Sequence, residues 1–297
     1  MKFRIQSLLL ISGLLILLSA CSSEQSGMST NEPVSQPSSV ATTPAPAPEP
    51  SAPAASSGRV VIQSIASDVD QDIYKAALAD SRRPLDEISR DSGRKPIEVL
   101  KFFGVAPGMR VVDVSSGDGY FTRILSGIVG SDGSVVANNS GRRSSDEFRA
   151  QYTEQYSSYD NVELNFENPE DMSLPDNSVD VVLLTLAVHH WHYDAAVGEF
   201  TPSIALERYE NIFRILKPGG IFAIVEHASA PGVSRQFSDE IHRIPADVLI
   251  NDVSIAGFVL EGESSIHANH PEDDVNARWG RDPRDATNRL VMKFRKP

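Results

Sequence analysis

Cysteine is almost absent from this chain of 297 residues, which has one, Cys21. A body without thiols needs no redox partner and suits an oxidising compartment. Basic residues are also few, 27 Lys and Arg against 40 Asp and Glu, for a net charge of −13. That balance argues against nucleic acid as a partner, since backbone binding runs on clustered Lys and Arg, and there is no basic stripe or aromatic stacking platform. The chain has no internal repeat, and it has neither a paired Cys nor a helical His-x-x-x-His to signal zinc. Apolar residues, by contrast, make up 40% of it, enough for a sizeable core and too many for a disordered or collagen-like chain.

The first 58 residues read as separate from the folded body. Lys2 and Arg4 precede an apolar stretch, Leu8 to Leu18, too short for a spanning helix and shaped like an export signal. Leu18-Ser19-Ala20-Cys21 resembles the lipobox of bacterial lipoproteins, which implies a signal peptide over 1–20 and acylation, such as palmitate, on Cys21. Loss of the leader with Lys2 and Arg4 takes the charge from −13 to −15. Ser22 follows the cysteine, and by the same resemblance this favours the outer membrane, with the body facing the periplasm. Residues 21–58 are rich in Pro, Ser and Ala without one aromatic ring, and Ala45 to Pro50 is biased to polyproline II, as in a tether.

From 59 onward the pattern is globular. Helices are expected over Asp70–Asp80, over Pro84–Arg90 and from Pro96 to the stop at Gly104. Strands are then expected at Arg110–Val114, Gly133–Ala137, Val162–Phe166, Val179–Leu186 and Ile221–Val225, with helices at Phe121–Ile128, Ser145–Tyr156, Ile204–Leu216 and Ile241–Ile255 between or after them. Strand-like Phe258–Glu263 and Leu290–Phe294 end the chain. This alternation implies right-handed βαβ units and a mostly parallel sheet covered on both faces, one α/β domain with an amino-terminal helical cap.

The stretch Val111-Val112-Asp113-Val114-Ser115-Ser116-Gly117-Asp118-Gly119-Tyr120 runs from a buried strand through a glycine-containing turn into a helix. Glycines there let backbone N–H groups approach a ligand at the helix's positive end. The dinucleotide fingerprint fits poorly, since it wants three glycines and a later acid, whereas the acid here comes first. That order resembles the class I S-adenosylmethionine-dependent methyltransferases. So do Gly108 to Asp113 before the turn, Leu174 to Asp180 before the fourth strand, Leu216-Lys217-Pro218-Gly219-Gly220 before the fifth, and the apolar closing strand. The resemblance spans roughly residues 95–297. Arg90-Asp91, Arg94-Lys95-Pro96, His242-Arg243-Ile244 and the ending Lys293 to Pro297 are similar to a group of exported predicted methyltransferases.

The resemblance implies a Rossmann-like, seven-stranded, mostly parallel sheet and S-adenosylmethionine as cofactor, held by Asp113, Ser115, Gly117, Gly119, Asn139 and Asn168. Ser115 stands where the family has its first glycine, Asn139 where an acid binds the ribose, and Asn168 where an acid faces the adenine. The cluster Val188-His189-His190-Trp191-His192-Tyr193-Asp194 follows the fourth strand, where the family keeps the transferred methyl group. His190 is expected to take a proton from the acceptor, with Asp194 orienting its ring. A zinc reading on His190, His192, Asp194 and His227 is disfavoured, and no metal is expected. The implied partners are a small-molecule or envelope substrate and, through the lipid, a membrane. The alternative is a methyltransferase fold kept as a ligand-binding or scaffold module.

Overall fold

The computed structural model describes residues 71–194, 197–268, 270, 273–278 and 287–297. The expected leader, Cys21 and the tether lie outside them. Seven strands form one sheet: β1 (Arg110–Val114), β2 (Ser134–Asn138), β3 (Val162–Asn165), β4 (Val179–Thr185), β5 (Leu216–His227), β6 (Val259–Glu263) and β7 (Arg289–Arg295). Their spatial order is β3-β2-β1-β4-β5-β7-β6. The first five are mutually parallel, while β7 runs antiparallel to both β5 and β6. This is the Rossmann-like class I methyltransferase fold that the motifs imply, with its closing hairpin.

Alternation along the strands explains the layering. Val112, Val114, Val182, Leu184, Phe222, Ile224, Met292 and Phe294 face one side, where α7 (Pro202–Ile215) and α9 (Ala246–Ile255) pack. Val111, Leu183, Ala223, Val225 and Val291 face the other, against α1 (Gln71–Leu78), α4 (Pro96–Phe103) and α5 (Tyr120–Val129). A strand buried on both faces reads as an unbroken apolar run, as Val179 to Leu184 nearly does. Each such side chain contributes about 1.5–3 kcal/mol on burial. A third layer of rings, Tyr152, Tyr156 and Tyr159, carries α6 (Asp146–Tyr156) beside β2.

The cap is held by charge as well as by apolar contact. Between α1 and α4 lie two single-turn helices, α2 (Leu85–Ile88) and α3 (Asp91–Arg94). Arg83 pairs with Asp91 at 2.6 Å, and Asp91 accepts from the Tyr120 hydroxyl at 2.7 Å. Glu87 pairs with Arg123 in the interior. The cap is thereby tied to the first turns of α5, directly after the glycine turn.

Three boundaries differ from expectation. Pro84–Arg90 gives only the short α2, with α3 following as a separate turn. Leu216 to Gly220 is already strand, so β5 begins five residues early. The helix expected over Ile241–Ile255 is broken: α8 (Arg235–Ile241) ends at His242, and α9 starts only after Pro245. Proline cannot donate into a continuing helix and biases the residue before it away from helical angles. His242, at φ 56°, is therefore the left-handed cap of α8 and does not open a helix.

Candidate functional site

Asp113 reaches the carboxyl end of β1 with 1% of its surface exposed. Its Oδ2 accepts from Thr122 Oγ1 at 2.7 Å, whereas Oδ1 is buried without a partner. Burial pushes this carboxyl up to about 7, against the opposing pull of the Thr122 bonds. The chain then turns through Ser115 at φ 53°, Gly117 at 63° and Gly119 at 89°. Ser115 holds a left-handed conformation that costs an L residue about 1–2 kcal/mol, at the position where the family has glycine.

The two glycines have different neighbours. At Gly117 an added Cβ meets nothing closer than Arg143 at 3.9 Å, so that face is open to an approaching ligand. At Gly119 the same atom would lie 1.7 Å from the Tyr156 hydroxyl, so here a side chain of α6, and not a ligand, occupies the space. A groove of about 420 Å³ adjoins the turn, lined by Asp118, Arg143, Phe148, Gln151, Tyr152 and Gln155. Its volume is within the range of small-ligand sites.

Asn139 closes the turn from the side of β2. Its Oδ1 accepts from the Gly117 N–H at 3.0 Å, and its Nδ2 donates to Ser116 Oγ at 3.0 Å and to Gly117 O at 3.2 Å. The amide expected at a ribose thus holds the loop, and is 1% exposed. Its neighbour Asn138 donates to Asn165 and to Glu167 O, and leaves its own Oδ1 buried and unpartnered. Asn168 is exposed and reaches only Asp171, at 3.4 Å. Glu167 is occupied by Ser173 and Asn165, which lower its pKa.

After β4, Leu186 turns left-handed and a single tight turn, Val188–His190, follows. His189 is buried, with Nδ1 2.9 Å from Glu226 Oε1 and its backbone N–H on Glu226 Oε2 at 3.3 Å. Burial would raise the Glu226 carboxyl, but His189 and the His227 backbone N–H outweigh it and lower the pKa. His190, half exposed, places Nδ1 2.7 Å from Asp239 Oδ1 of α8. Desolvation, then the neighbouring His189, hold its pKa below the ordinary value despite Asp239. His242 closes the group, with its ring 5.3 Å from that of His189 and 4.9 Å from that of His190. Desolvation and those two rings lower it to about 4.

His190 and His192 diverge: the latter turns inward to Asp252 at 2.9 Å, where Arg235 also binds. His227 is buried on Thr287, 2.9 Å away, and burial lowers it to about 3. His190, His192 and His227 therefore go to separate partners. The carboxylate on His190 is Asp239; the backbone of Asp194 pairs with Glu199, and its side chain lies outside the described residues. Trp191 packs into the core against Tyr209 and Phe222. Asp239, Glu226 and His242 complete the cluster, and of these only His242 stands in a segment that the sequence singles out.

Residues 112–224 match a family described as methyltransferase domain. The chain is 34% identical over 123 residues to a sterol 24-C-methyltransferase of Yarrowia lipolytica, covering 41% of this chain and 29% of that one. It is 29% identical over 183 residues to a ubiquinone/menaquinone biosynthesis C-methyltransferase of Ectopseudomonas mendocina, covering 59% and 64%. The chain thus spans less than two thirds of the length of these curated relatives. Among solved structures, an S-adenosylmethionine-dependent methyltransferase of Aquifex aeolicus aligns with a TM-score of 0.49 at 21% identity, covering 74% of this chain and 97% of that one.

Proposed function

We propose that this chain is an S-adenosylmethionine-dependent methyltransferase, held at a bacterial envelope membrane through Cys21 and acting on a small-molecule or envelope acceptor. The observation that carries this reading is the pair of buried, unpartnered oxygens, Asp113 Oδ1 and Asn138 Oδ1, at the ends of adjacent strands beside the turn. Buried acceptors without donors are rare, and they suit a ligand that supplies N–H or O–H groups. The matched methyltransferase domain contains both residues and the whole turn. The residues present therefore fit the cofactor at Asp113, Asn138 and the open face of Gly117, whose N–H is taken by Asn139, and fit it poorly at Asn168.

When bound, the cofactor supplies an activated methyl group for displacement by an acceptor atom. The chain's own task is to position that acceptor and accept its proton. His190 suits the second role: desolvation and the neighbouring His189 hold its pKa below the ordinary value, it is half exposed, and Asp239 orients it. The anchor and the periplasmic location rest on the lipobox-like leader alone.

One specific observation favours the alternative, a ligand-binding module without turnover. Asn139 occupies the Gly117 N–H, and Tyr156 covers Gly119, so two of the expected cofactor contacts are already spent. Denaturing the purified protein and analysing the released ligand by mass spectrometry separates the readings: the demethylated cofactor marks turnover. Calorimetry with S-adenosylhomocysteine is expected to show binding that Asp113→Ala weakens about tenfold or more, the loss of a charge-assisted contact. No heat up to millimolar ligand would sink the methyltransferase reading and leave the alternative standing.

A further inference from the structure

We infer that His189, His190 and His242 form a binding site for one divalent transition-metal ion of the zinc class, with a fourth position open to solvent. Each ring offers one nitrogen, and these three nitrogens lie within 4.8 Å of one another. Tetrahedral zinc at about 2.0–2.1 Å from each nitrogen needs them closer, by a shift of the order of 1 Å. The elements permit that shift: His189 and His190 sit on a single turn, and His242 caps a helix of seven residues.

The partners of the rings are what distinguish this cluster from a chance meeting of side chains. Metal-ligating histidines almost always present their other ring nitrogen to a carboxylate or carbonyl, which fixes the tautomer and aims the lone pair at the ion. Here His190 Nδ1 lies 2.7 Å from Asp239, and His189 Nδ1 lies 2.9 Å from the fully buried Glu226. The Asp239 bond leaves His190 Nε2 as its ligating atom, whereas His189 Nδ1 approaches Glu226 without hydrogen-bond geometry. His242 is the least committed ring, with Nε2 only at 3.5 Å from an Arg278 guanidinium nitrogen. Two carboxylates in the outer shell also offset the charge that a dication brings into a partly buried site.

The donor set selects the ion. Three imidazoles suit zinc, cobalt, nickel or copper, whereas magnesium and calcium require oxygen ligands. His190 is half exposed, so the fourth position opens to water at the rim of the sheet. Such a site accommodates an oxygen ligand on the ion. A metal on His190 Nε2 takes the lone pair that the proposed function gives to the acceptor's proton, so the metal-bound and proton-accepting states of His190 are alternatives.

The test uses the full chain, stripped with a chelator and titrated with Co²⁺ and then Zn²⁺. The expected result is one equivalent of Co²⁺ with the visible bands of tetrahedral coordination, displaced by Zn²⁺. His242→Gln removes a ligand and is expected to lower the affinity at least tenfold. Asp239→Asn leaves the ligands in place and is expected to lower it about 10–100-fold. Metal-free melting curves of both variants establish that they are folded, and His190→Asn stands in for either that is not. Absence of the tetrahedral bands, or equal affinity in the folded variants and the parent, overturns the proposal. Loss of S-adenosylhomocysteine binding with intact Co²⁺ binding would count against the proposed function and leave the metal site standing.

Discussion

The middle of the sheet and its carboxyl edge are built by opposite rules. In the middle, Val111, Val112, Val182, Leu183, Phe222 and Ile224 are all at most 1% exposed, and their stability comes from apolar area removed from water. A few residues farther, at the strand ends and the turns after them, the chain buries Asp113, Asn138, Asn139, His189, Glu226 and His227 to at most 3% exposure. Burying such groups costs free energy unless each finds a partner. The first region would tolerate any apolar residue of about the right volume. The second tolerates few exchanges, because each group is defined by its bonds. A costly, densely bonded edge on a cheap, well-packed sheet is the signature of a site placed on a scaffold.

The largest expected effect tests whether the edge is as tightly coupled as this contrast implies. Glu226→Ala strands His189 and the His227 N–H in the interior, and is expected to cost about 3–5 kcal/mol in urea denaturation, as when one member of a buried pair is lost. A cost below that of an apolar truncation such as Ile224→Val, about 0.5–1.5 kcal/mol, would show the edge to be loosely held.

A second prediction concerns pH. His227 and His267 are lowered by burial from 6.5 to about 3 and about 4, so the unfolded chain takes up protons that the folded chain refuses. Their stability contribution is complete above pH 6.5 and is lost progressively as pH falls toward 4. Asp113 acts in the opposite sense: raised from 3.8 to about 7, it binds its proton more tightly when folded, so its contribution grows as pH falls through 7. His242, lowered to about 4, acts in the same sense, and three imidazoles against one carboxyl leave a net loss between pH 6.5 and 4. The urea midpoint is expected to fall over that window, and to fall more steeply in Asp113→Asn. A flat or rising midpoint in the parent would contradict the assignment.

The smallest expected effect is at the turn. Ser115→Gly relieves a left-handed φ of 53° but adds unfolded-state entropy, for a net stabilisation below about 1 kcal/mol in thermal melts. A loss of stability would mean that the serine side chain contributes more than its backbone angle costs.

Much of the fold was legible because it is written in local terms. Pro96 at the first turn of α4, Gly104 at its end, and the apolar run of β1 flanked by Gly108 and the serine-glycine turn each give a local reason for the element they bound. The break at Pro245 is equally local, and it divides the long helix that the apolar pattern suggests; His242 owes its place in the cluster to that break. The candidate site was less legible. Asp113 and Gly117 sit within one local run, the end of β1 and the turn after it, but the role of Asn139 depends on a backbone amide 22 positions away. Asp239 meets His190 across 49 positions, and no periodicity encodes such a pairing.

By itself, then, the chain's order of residues determined which strands and helices alternate and in what order, that the strands are buried on both faces, and that an acid precedes a glycine turn. Those are consequences of backbone angles and of apolar spacing, which act over a few residues. Only the tertiary structure decided which polar groups share a partner. It brought His242 beside His189 and His190, gave Asp239 to His190 and Tyr156 to Gly119, and left Asp113 and Asn138 each with one oxygen unpaired. Hydrogen bonds and charges are directional and short in range, so their pairing is settled only when distant segments are packed against one another.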